Sequence, residues 1–264
     1  MKTYSIHDTV HGYITFPQSY IESIIDTPEF QRLRRIEQTA IRAVFPTARH
    51  DRFVHSLGVY YVGKCILEHF INFCTVSFST TQEAYLDLKN DNILQESYKI
   101  ACLLHDVGHA PFSHSFEKYF DNLKGYNLMT ILTDELKKRN IDISEDLKRS
   151  TENDPPKEHE YTSAIGSVIR FGDVISKLGG DVELVARMII GCKYQNDNDK
   201  SNQLRNIFIE LLHGSIIDAD RLDYACRDIW ASGYCTSTID LVRLIYAMQI
   251  REYKGKYQLC YGRL

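Results

Sequence analysis

The sequence predicts a mostly α-helical protein of the all-α class, with a short β segment near the N-terminus and a β-hairpin near the C-terminus. Three observations support this prediction. Long stretches place apolar residues at helical spacing, apolar and polar residues alternate at only two places, and the hydrophobic content of 44% is that of a globular chain. With 25% charged residues over 264 positions, the composition excludes a globally disordered or collagen-like protein.

The predicted elements follow one another along the chain. Alternation at residues 13–16 predicts a strand, and the pattern at 252–261 predicts a hairpin that turns on residues 254–256. Asp26 and Thr27 stand before Pro28, and a capping residue followed by proline marks a helix start, so a helix is predicted at 28–36. Other periodic stretches predict helices at 55–73, 83–107, 112–120, 158–171, 182–190, 206–214 and 239–250.

Composition also constrains the setting of the protein. We expect one domain over residues 1–264, with the polar segments 137–157 and 193–203 as mobile loops. The formal charge of −4 and the isoelectric point near 6.2 predict that any phosphate or nucleic-acid contact comes from a local basic patch. The seven cysteines lack a C-x-x-C pair and follow no signal peptide, which predicts reduced thiols in a cytoplasmic protein. No stretch approaches 18 uncharged apolar residues, so no membrane span is expected.

The strongest chemical signal is the pair His105-Asp106. The dipeptide alone is weak evidence, because the chain contains it three times. This copy, however, ends the apolar run 100–104, which predicts burial, and a buried carboxylate and imidazole cost several kcal/mol unless they are paired or bind a metal. His109 and His114 follow within ten positions. This concentration of titratable residues beside a buried helix favours a functional site.

A metal site needs ligands from more than one helix. His55 opens an apolar helix, and Asp220 follows an apolar stretch late in the chain. Two histidines and two aspartates suit Mn, Fe, Ni or Zn, and coordination positions left for water and substrate would make the site catalytic. Any single histidine is alternatively a hydrogen-bonded core residue, and this interpretation is kept for His7, His11, His50, His69 and His213.

Five ordered motifs then carry a family resemblance. They are DTVHG at 8–12, IDTPEFQRLR at 25–34, RFVHSLG at 52–58, HDVGHAPFSH at 105–114 and DADRLDY at 218–224. Together they resemble the HD-domain metal phosphohydrolases, and within them the branch that contains the deoxynucleoside triphosphate triphosphohydrolases. The resemblance extends from about residue 7 to about residue 261 and implies an HD-domain helical bundle.

The resemblance implies a role for each matching residue. The ligands of one divalent ion, Mn, Fe, Ni, Zn or Mg, would be His55, His105, Asp106 and Asp220, with additional Mg accompanying the nucleotide. Proton transfer and contact with the triphosphate would fall to His109, His114 and His159, supported by Glu117. Substrate contacts would come from Gln38, Arg52, Asp218, Arg221, Tyr224 and Asp228.

A regulatory site is also implied. Asp26, Gln31 and Arg34 match residues that contact an effector nucleotide at a subunit interface in the animal members of the branch, so a homo-oligomer is expected as well. The alternative is structural, because Asp26 is also a good helix N-cap and the other two residues are common on solvated helix faces. A solvated face is also the interpretation preferred for Arg32, Arg35 and Arg42, whereas Arg52 precedes a proposed ligand and is expected to contact phosphate.

The function that follows is metal-dependent hydrolysis of (deoxy)nucleoside triphosphates to nucleoside and tripolyphosphate. Two alternatives remain open. One is an HD nuclease or phosphodiesterase acting on nucleic acid or a signalling nucleotide, and the other is a non-catalytic HD interaction module. Family enzymes continue well past the C-terminal hairpin and draw much of the nucleotide pocket from that part. The end at Leu264 therefore implies either a fragment or a short relative with a more open site.

Overall fold

Helices and two β-hairpins make up the chain, as the sequence predicts, in the computed structural model described below. The structure describes residues 2–39, 44–73, 82–111, 113, 127–152, 155–196, 198–214, 216–234 and 238–262. The described α-helical segments are α1 (Gln18–Tyr20), α2 (Pro28–Gln31), α3 (Arg52–Phe73), α4 (Gln82–Asn90), α5 (Asn92–Leu104), α6 (Leu128–Lys137), α7 (Ser144–Thr151), α8 (Glu158–Lys177), α9 (Val182–Ile190), α10 (Lys200–Leu212), α11 (Ala219–Ser232) and α12 (Leu241–Ala247). A π-helical turn, Ile21–Ile25, follows α1, and a 3-10 turn, Arg32–Arg35, follows α2.

The two hairpins lie near the two ends of the described chain. Strand β1 (Thr3–Asp8) pairs antiparallel with β2 (Gly12–Pro17), and β3 (Met248–Tyr253) pairs with β4 (Lys256–Tyr261). Lys254 and Gly255 both have positive φ, 52° and 79°, which is the geometry of a tight two-residue hairpin turn. The predicted C-terminal hairpin and its turn are therefore confirmed, and the predicted strand at 13–16 gains β1 as its partner.

Helix α3 is the centre of the fold. It packs against α5 on one side and α11 on another, while α9 packs against both α5 and α8. The core is continuous, and the last five residues of α5, 100–104, have no exposed surface at all. Burying apolar surface of this extent is the main source of stability in such a bundle. The arrangement brings one end each of α3, α5 and α11 to the same place.

Helix boundaries differ from the prediction where capping residues intervene. The predicted helix at 83–107 is two helices, because Asp91 caps α5 by accepting the N–H of Leu94 at 2.8 Å. Helix α10 begins at Lys200 rather than 206, since Asp199 is its N-cap. The helix predicted at 239–250 ends at Ala247 and passes directly into β3. The helix predicted at 112–120 lies outside the described residues, apart from Ser113.

Both polar segments that were predicted as mobile loops contain helix. Helix α7 lies within 137–157, and α10 begins within 193–203. Their mobility stays a prediction. Among the described residues, none of the helices is long and apolar enough to cross a membrane.

Candidate metal centre

Four predicted metal ligands converge where α3, α5 and α11 meet. His55 lies in the first turn of α3, His105 and Asp106 directly follow α5, and Asp220 lies in the first turn of α11. Nε2 of His55 is 2.9 Å from Oδ1 of Asp220 and 3.3 Å from Nε2 of His105. Oδ2 of Asp106 is 3.7 Å from Nε2 of His55 and 3.6 Å from Nε2 of His105. The four side chains thus aim their donor atoms at one point.

The end of α5 explains why the His-Asp pair is buried. The helix runs through the core to its last residue, and two turn hydrogen bonds follow at once. The N–H of Val107 donates to the carbonyl of Leu104 at 3.0 Å, and the N–H of His109 donates to the carbonyl of Asp106 at 3.1 Å. The chain therefore turns before it reaches solvent, and His105 and Asp106 keep only 9% and 3% of their surface exposed.

The hydrogen bonds of the two histidine ligands fix which nitrogen faces the centre. Nδ1 of His105 donates to the carbonyl of Cys102 at 2.9 Å, one turn back in its own helix. Nδ1 of His55 donates to Oδ2 of Asp223 at 2.7 Å, a residue far away in sequence. With Nδ1 carrying the proton, the Nε2 lone pair of each ring points to the centre, which is how a metal-ligating histidine is usually oriented.

Asp223 was not predicted as a site residue, yet it is fully buried beside the centre. Burial alone would raise the pKa of its carboxyl group, but hydrogen bonds from His11, His55 and Arg227 hold that pKa far below its usual range. Arg227 reaches both carboxylate oxygens at 2.9 Å, and it also donates to Asp8 at 2.9 Å. A signal was present in the sequence, because Asp223 follows Asp220 by three residues and helical spacing puts both on one face.

Arg52 holds Asp106 from the other side. Its Nη1 donates to Oδ2 of Asp106 at 2.5 Å, and its Nε and Nη2 donate to Oγ of Ser113 at 3.2 and 2.5 Å. Burial opposes ionisation of Asp106, but Arg52, His105 and His109 together keep its pKa well below the usual value. Arg52 is itself buried, so in this structure its first contact is a ligand carboxylate.

His109 and His159 form a stacked pair next to the centre. Their ring centroids are 4.2 Å apart with the planes at 17°, and Nε2 of His109 is 3.3 Å from Oδ1 of Asp106. Burial lowers the pKa of His109 to about 4, although Asp106 opposes the shift. Donor atoms of these three residues lie within 4.8 Å of one another. An imidazole binds a metal in its ring plane, and two nearly parallel planes do not meet at one ion, so the pair is suited to protons rather than to a second metal.

A cavity of about 240 Å³ opens beside this histidine pair. It is lined by Arg32, Gly108, His109, Ala110, Pro111, Glu158, His159 and Thr162. Its position next to the four-donor centre makes it the place where a reacting group could contact both histidines.

The loop that carries His109 is clamped from two directions. Arg32 donates from Nη1 to the carbonyl of His109 at 2.7 Å and from Nη2 to the carbonyl of Val107 at 2.6 Å. From α8, Oγ1 of Thr162 donates to the carbonyl of Gly108 at 3.0 Å. A Cβ on Gly108 would lie 2.2 Å from the backbone of α8, so only glycine allows this approach. Interpreting Arg32 as part of a solvated face was therefore wrong.

The predicted substrate contacts lie along α11 and near its start. Arg221, Tyr224 and Asp228 follow Asp220 at helical spacing and are all at least one third exposed, so they line the face beside the centre. Asp228 pairs with His50 at 2.8 Å.

Asp218 and Gln38 lie at the border of this face. Asp218 caps α11 by accepting the N–H of Arg221 at 2.7 Å, and burial followed by repulsion from Asp220 raises its pKa to about 6. Gln38 is half-buried, and its backbone N–H donates to the carbonyl of His50. Substrate contact by either residue stays a prediction. The predicted catalytic residues His114 and Glu117 lie outside the described residues.

The candidate effector residues lie together near α2. Thr27, not Asp26, is the N-cap of α2, and Asp26 is exposed. Nε2 of Gln31 donates to the carbonyl of Ile25 at 2.8 Å, and Nε of Arg34 donates to Oε1 of Gln31 at 2.9 Å. The structural alternative for Asp26 as the helix cap is thus removed, while an effector role stays a prediction.

The residues at the centre fit a divalent cation. Two imidazoles and two carboxylates suit a borderline first-row metal. Burial would lower the pKa of His55, but hydrogen bonds to Asp220 and Asp223 raise that pKa to about 9, which shows that the site attracts positive charge. Because ligands bind a metal in their deprotonated forms, a cation at this point would take the place of that proton.

Comparison with known proteins agrees with this geometry. The sequence model of the HD domain family matches residues 52–182. An uncharacterized protein of Mycoplasma pneumoniae is 30% identical over 262 residues, which are 98% of this chain and 51% of that protein. The deoxynucleoside triphosphate triphosphohydrolase SAMHD1 of Gallus gallus is 31% identical over 267 residues, 98% of this chain and 38% of that protein. The chain therefore spans about half, or less, of the length of these relatives.

A solved structure shares the fold. The crystal structure of a hypothetical protein from Aquifex aeolicus superposes with a TM-score of 0.63 at 24% sequence identity, covering 97% of this chain and 53% of that one. The matched family, the four convergent donors and the shared fold lead to one conclusion. The chain belongs to the HD-domain superfamily, and its sequence is similar to the branch that contains the deoxynucleoside triphosphate triphosphohydrolases.

Proposed function

We propose that the chain is a metal-dependent phosphohydrolase that hydrolyses (deoxy)nucleoside triphosphates to a nucleoside and tripolyphosphate. The observation that carries this proposal is the convergence of His55, His105, Asp106 and Asp220 beside the stacked pair His109 and His159. Support also comes from the SAMHD1 relative, whose name states the same activity. A single divalent ion is proposed at the centre, with its identity open among Mn, Fe, Ni, Zn and Mg.

When bound, a divalent ion would lower the pKa of a coordinated water and polarise a phosphoryl oxygen. The chain's own residues supply positioning, which is most of what phosphoryl transfer requires. Arg52 keeps Asp106 ionised and fixed, so that this carboxylate is always in its ligating form. Arg221 is 40% exposed on the α11 face and can neutralise phosphate charge next to the centre.

The histidine pair is proposed to handle the proton of the leaving group. His109 is uncharged at neutral pH, so each ring of the pair can carry one N–H and one lone pair. A triphosphate in the adjacent cavity would favour the protonated form of the pair by direct charge attraction. That proton can then pass to the 5′ oxygen as the bond to phosphorus breaks, which yields the nucleoside.

The test is a substrate panel with product analysis. Metal-loaded protein is incubated with dNTPs, NTPs, cyclic nucleotides and short DNA, next to the Asp106→Ala and His159→Ala variants. We expect nucleoside and tripolyphosphate from a triphosphate substrate, no turnover by Asp106→Ala, and a loss of at least about 100-fold for His159→Ala. Cleavage of DNA or of a cyclic nucleotide would instead assign the nuclease or phosphodiesterase function. A protein that binds metal and turns over none of the panel would be an interaction module.

Assembly and regulation belong to the same proposal. We propose a cytoplasmic homo-oligomer with an effector nucleotide site that includes Asp26, Gln31 and Arg34. These three residues cluster at one end of α2, and Asp26 is exposed and takes no part in the helix cap. Light scattering with and without GTP or dGTP in the presence of Mg tests it. A change of mass that Asp26→Ala abolishes is expected, and an unchanged mass with no heat of binding would contradict it.

A further inference from the structure

The N-terminal hairpin reaches the proposed metal centre through a single side chain. His11 lies in the turn between β1 and β2, and its Nε2 donates to Oδ1 of Asp223 at 2.6 Å. The other oxygen of Asp223 accepts the Nδ1 proton of His55 at 2.7 Å. One buried carboxylate thus joins the hairpin, α11 and α3.

Other contacts hold His11 in this position. Its ring stacks on Tyr61 of α3 with centroids 4.8 Å apart and planes at 27°. Oδ1 of Asp8 accepts the backbone N–H groups of Val10 and His11 at 2.9 and 2.8 Å, which fixes the turn. Oδ2 of the same Asp8 accepts from Arg227, the residue that also binds Asp223. The turn of the hairpin and the carboxylate beneath His55 therefore belong to one hydrogen-bonded network.

The two histidine ligands differ in this respect. His105 is oriented by a neutral carbonyl of its own helix, that of Cys102, which α5 provides wherever it folds. His55 depends on a carboxylate from α11, and that carboxylate is shared with the hairpin. Such outer partners orient a ligating imidazole and strengthen it as a donor.

Building on the proposed metal centre, we propose that Asp223 and His11 are positioning residues that hold His55 for the metal, and that docking of the N-terminal hairpin and metal binding are therefore coupled. Coupling between two binding events is reciprocal. Loss of the His11 contact weakens metal binding, and the bound metal protects the hairpin from opening. Removal of an outer partner of this kind costs about 10- to 100-fold in metal affinity.

The chain offers a matched pair of variants for the test. His11→Phe keeps an aromatic ring on Tyr61 but removes the N–H that Asp223 accepts. His7→Phe is the control, because His7 lies in β1 of the same hairpin, is exposed and contacts Tyr13 edge-on, far from the network. Circular dichroism first establishes that each variant is folded, and His11→Gln replaces His11→Phe if the larger side chain prevents folding.

Two readouts are then measured on metal-stripped protein. Calorimetry with Mn²⁺ gives affinity, and hydrogen exchange with and without Mn²⁺ gives the protection of the β1–β2 amides. We expect about tenfold or weaker Mn²⁺ binding in His11→Phe and no change in His7→Phe. We also expect Mn²⁺ to slow exchange in the hairpin of the unchanged protein but not in His11→Phe.

The outcomes separate this inference from the proposed function. Unchanged Mn²⁺ affinity in His11→Phe, or hairpin exchange that Mn²⁺ does not alter in the unchanged protein, would overturn the coupling while leaving the metal centre intact. A failure of the unchanged protein itself to bind any divalent ion would overturn the proposed function, and the coupling with it.

Discussion

The metal centre and the N-terminal segment Asp26–Arg35 contain similar polar residues but hold them in different ways. In the centre, the partners come from distant elements, as when His55 of α3 binds Asp223 of α11. In the segment, Gln31 and Arg34 bind each other and the carbonyl of Ile25, all within ten residues. A set of long-range contacts fixes geometry before a ligand arrives, whereas local contacts on a surface leave the side chains free to exchange partners.

Arg32 is the exception within the segment, and it connects the two regions. Its guanidinium group crosses to the carbonyls of Val107 and His109, whereas the neighbouring Arg35 is exposed. The difference teaches that pre-organisation in this molecule comes from a few side chains that link remote elements. The predictions below remove such links one at a time, in order of decreasing effect.

Gly58→Ala should have the largest effect. A Cβ at Gly58 would lie 1.8 Å from Oδ1 of Asp223 and 2.4 Å from Nη2 of Arg227, so the buried network beneath His55 must move. Overpacking of this kind destabilises by roughly 3 kcal/mol. Gly166→Ala is the matched control, since its Cβ meets nothing closer than 3.8 Å, and it should leave stability unchanged or raise it by up to about 1 kcal/mol. Denaturant unfolding measures both, and equal stabilities would contradict the account of the network.

Arg32→Ala should lower turnover with a smaller loss of stability. The carbonyls of Val107 and His109 lose both donors, so the loop carrying His109 shifts relative to the centre. A shift of this kind costs on the order of tenfold or more in kcat. The expected split is a fall in kcat with bound metal unchanged, together with partial rescue by added guanidinium ion. Arg35→Ala is the control and should behave as the unchanged protein. A normal kcat in Arg32→Ala would show that the clamp does not position His109.

His213→Gln should have a small effect that depends on pH. His213 lies 3.1 Å from Glu160 near the start of α8. Burial lowers the pKa of His213, but Glu160 outweighs it and the pKa is raised, while the pKa of Glu160 is lowered by His213 in spite of burial. The stabilisation from His213 is thus full below its unfolded pKa of about 6.5 and is lost as pH rises through the folded value.

The stabilisation from Glu160 is present above about 4.5 and is lost as pH falls through its folded pKa. Between these limits, at pH 5.5, His213→Gln should lower Tm by about 2–4 °C, and the difference should vanish near pH 9. Thermal unfolding at the two pH values measures this. A difference in Tm that is the same at both would show that the ion pair does not contribute.

The sequence carried the fold class and the metal ligands because both leave local signals. Periodic apolar stretches predicted the long helices, and the apolar run before His105 predicted its burial. The outer network escaped prediction for a physical reason. Asp8, His11 and Asp223 are separated by more than 200 residues at the extremes, and only the packing of the hairpin on α3 and α11 brings them together. Arg32 escaped because its helical neighbours are solvated and its partners are backbone carbonyls, which no sequence pattern marks.

Helix boundaries show the same division between local and tertiary information. Asp91 and Asp199 are capping residues that the sequence displays, yet the surrounding apolar periodicity favoured one long helix in the first case and a later start in the second. The passage of α12 into β3 at Met248 follows from pairing with β4, which local propensity does not encode.

The central claim is that His55, His105, Asp106 and Asp220 hold one divalent ion. Elemental analysis of purified protein and of its Asp106→Ala variant, each confirmed as folded, tests it most directly. The account predicts close to one equivalent of a first-row or magnesium ion in the unchanged protein. In the variant we expect a large loss, steeper than the 10- to 100-fold cost of removing an outer partner. Equal metal content in the two proteins, or none in either after loading, would contradict it.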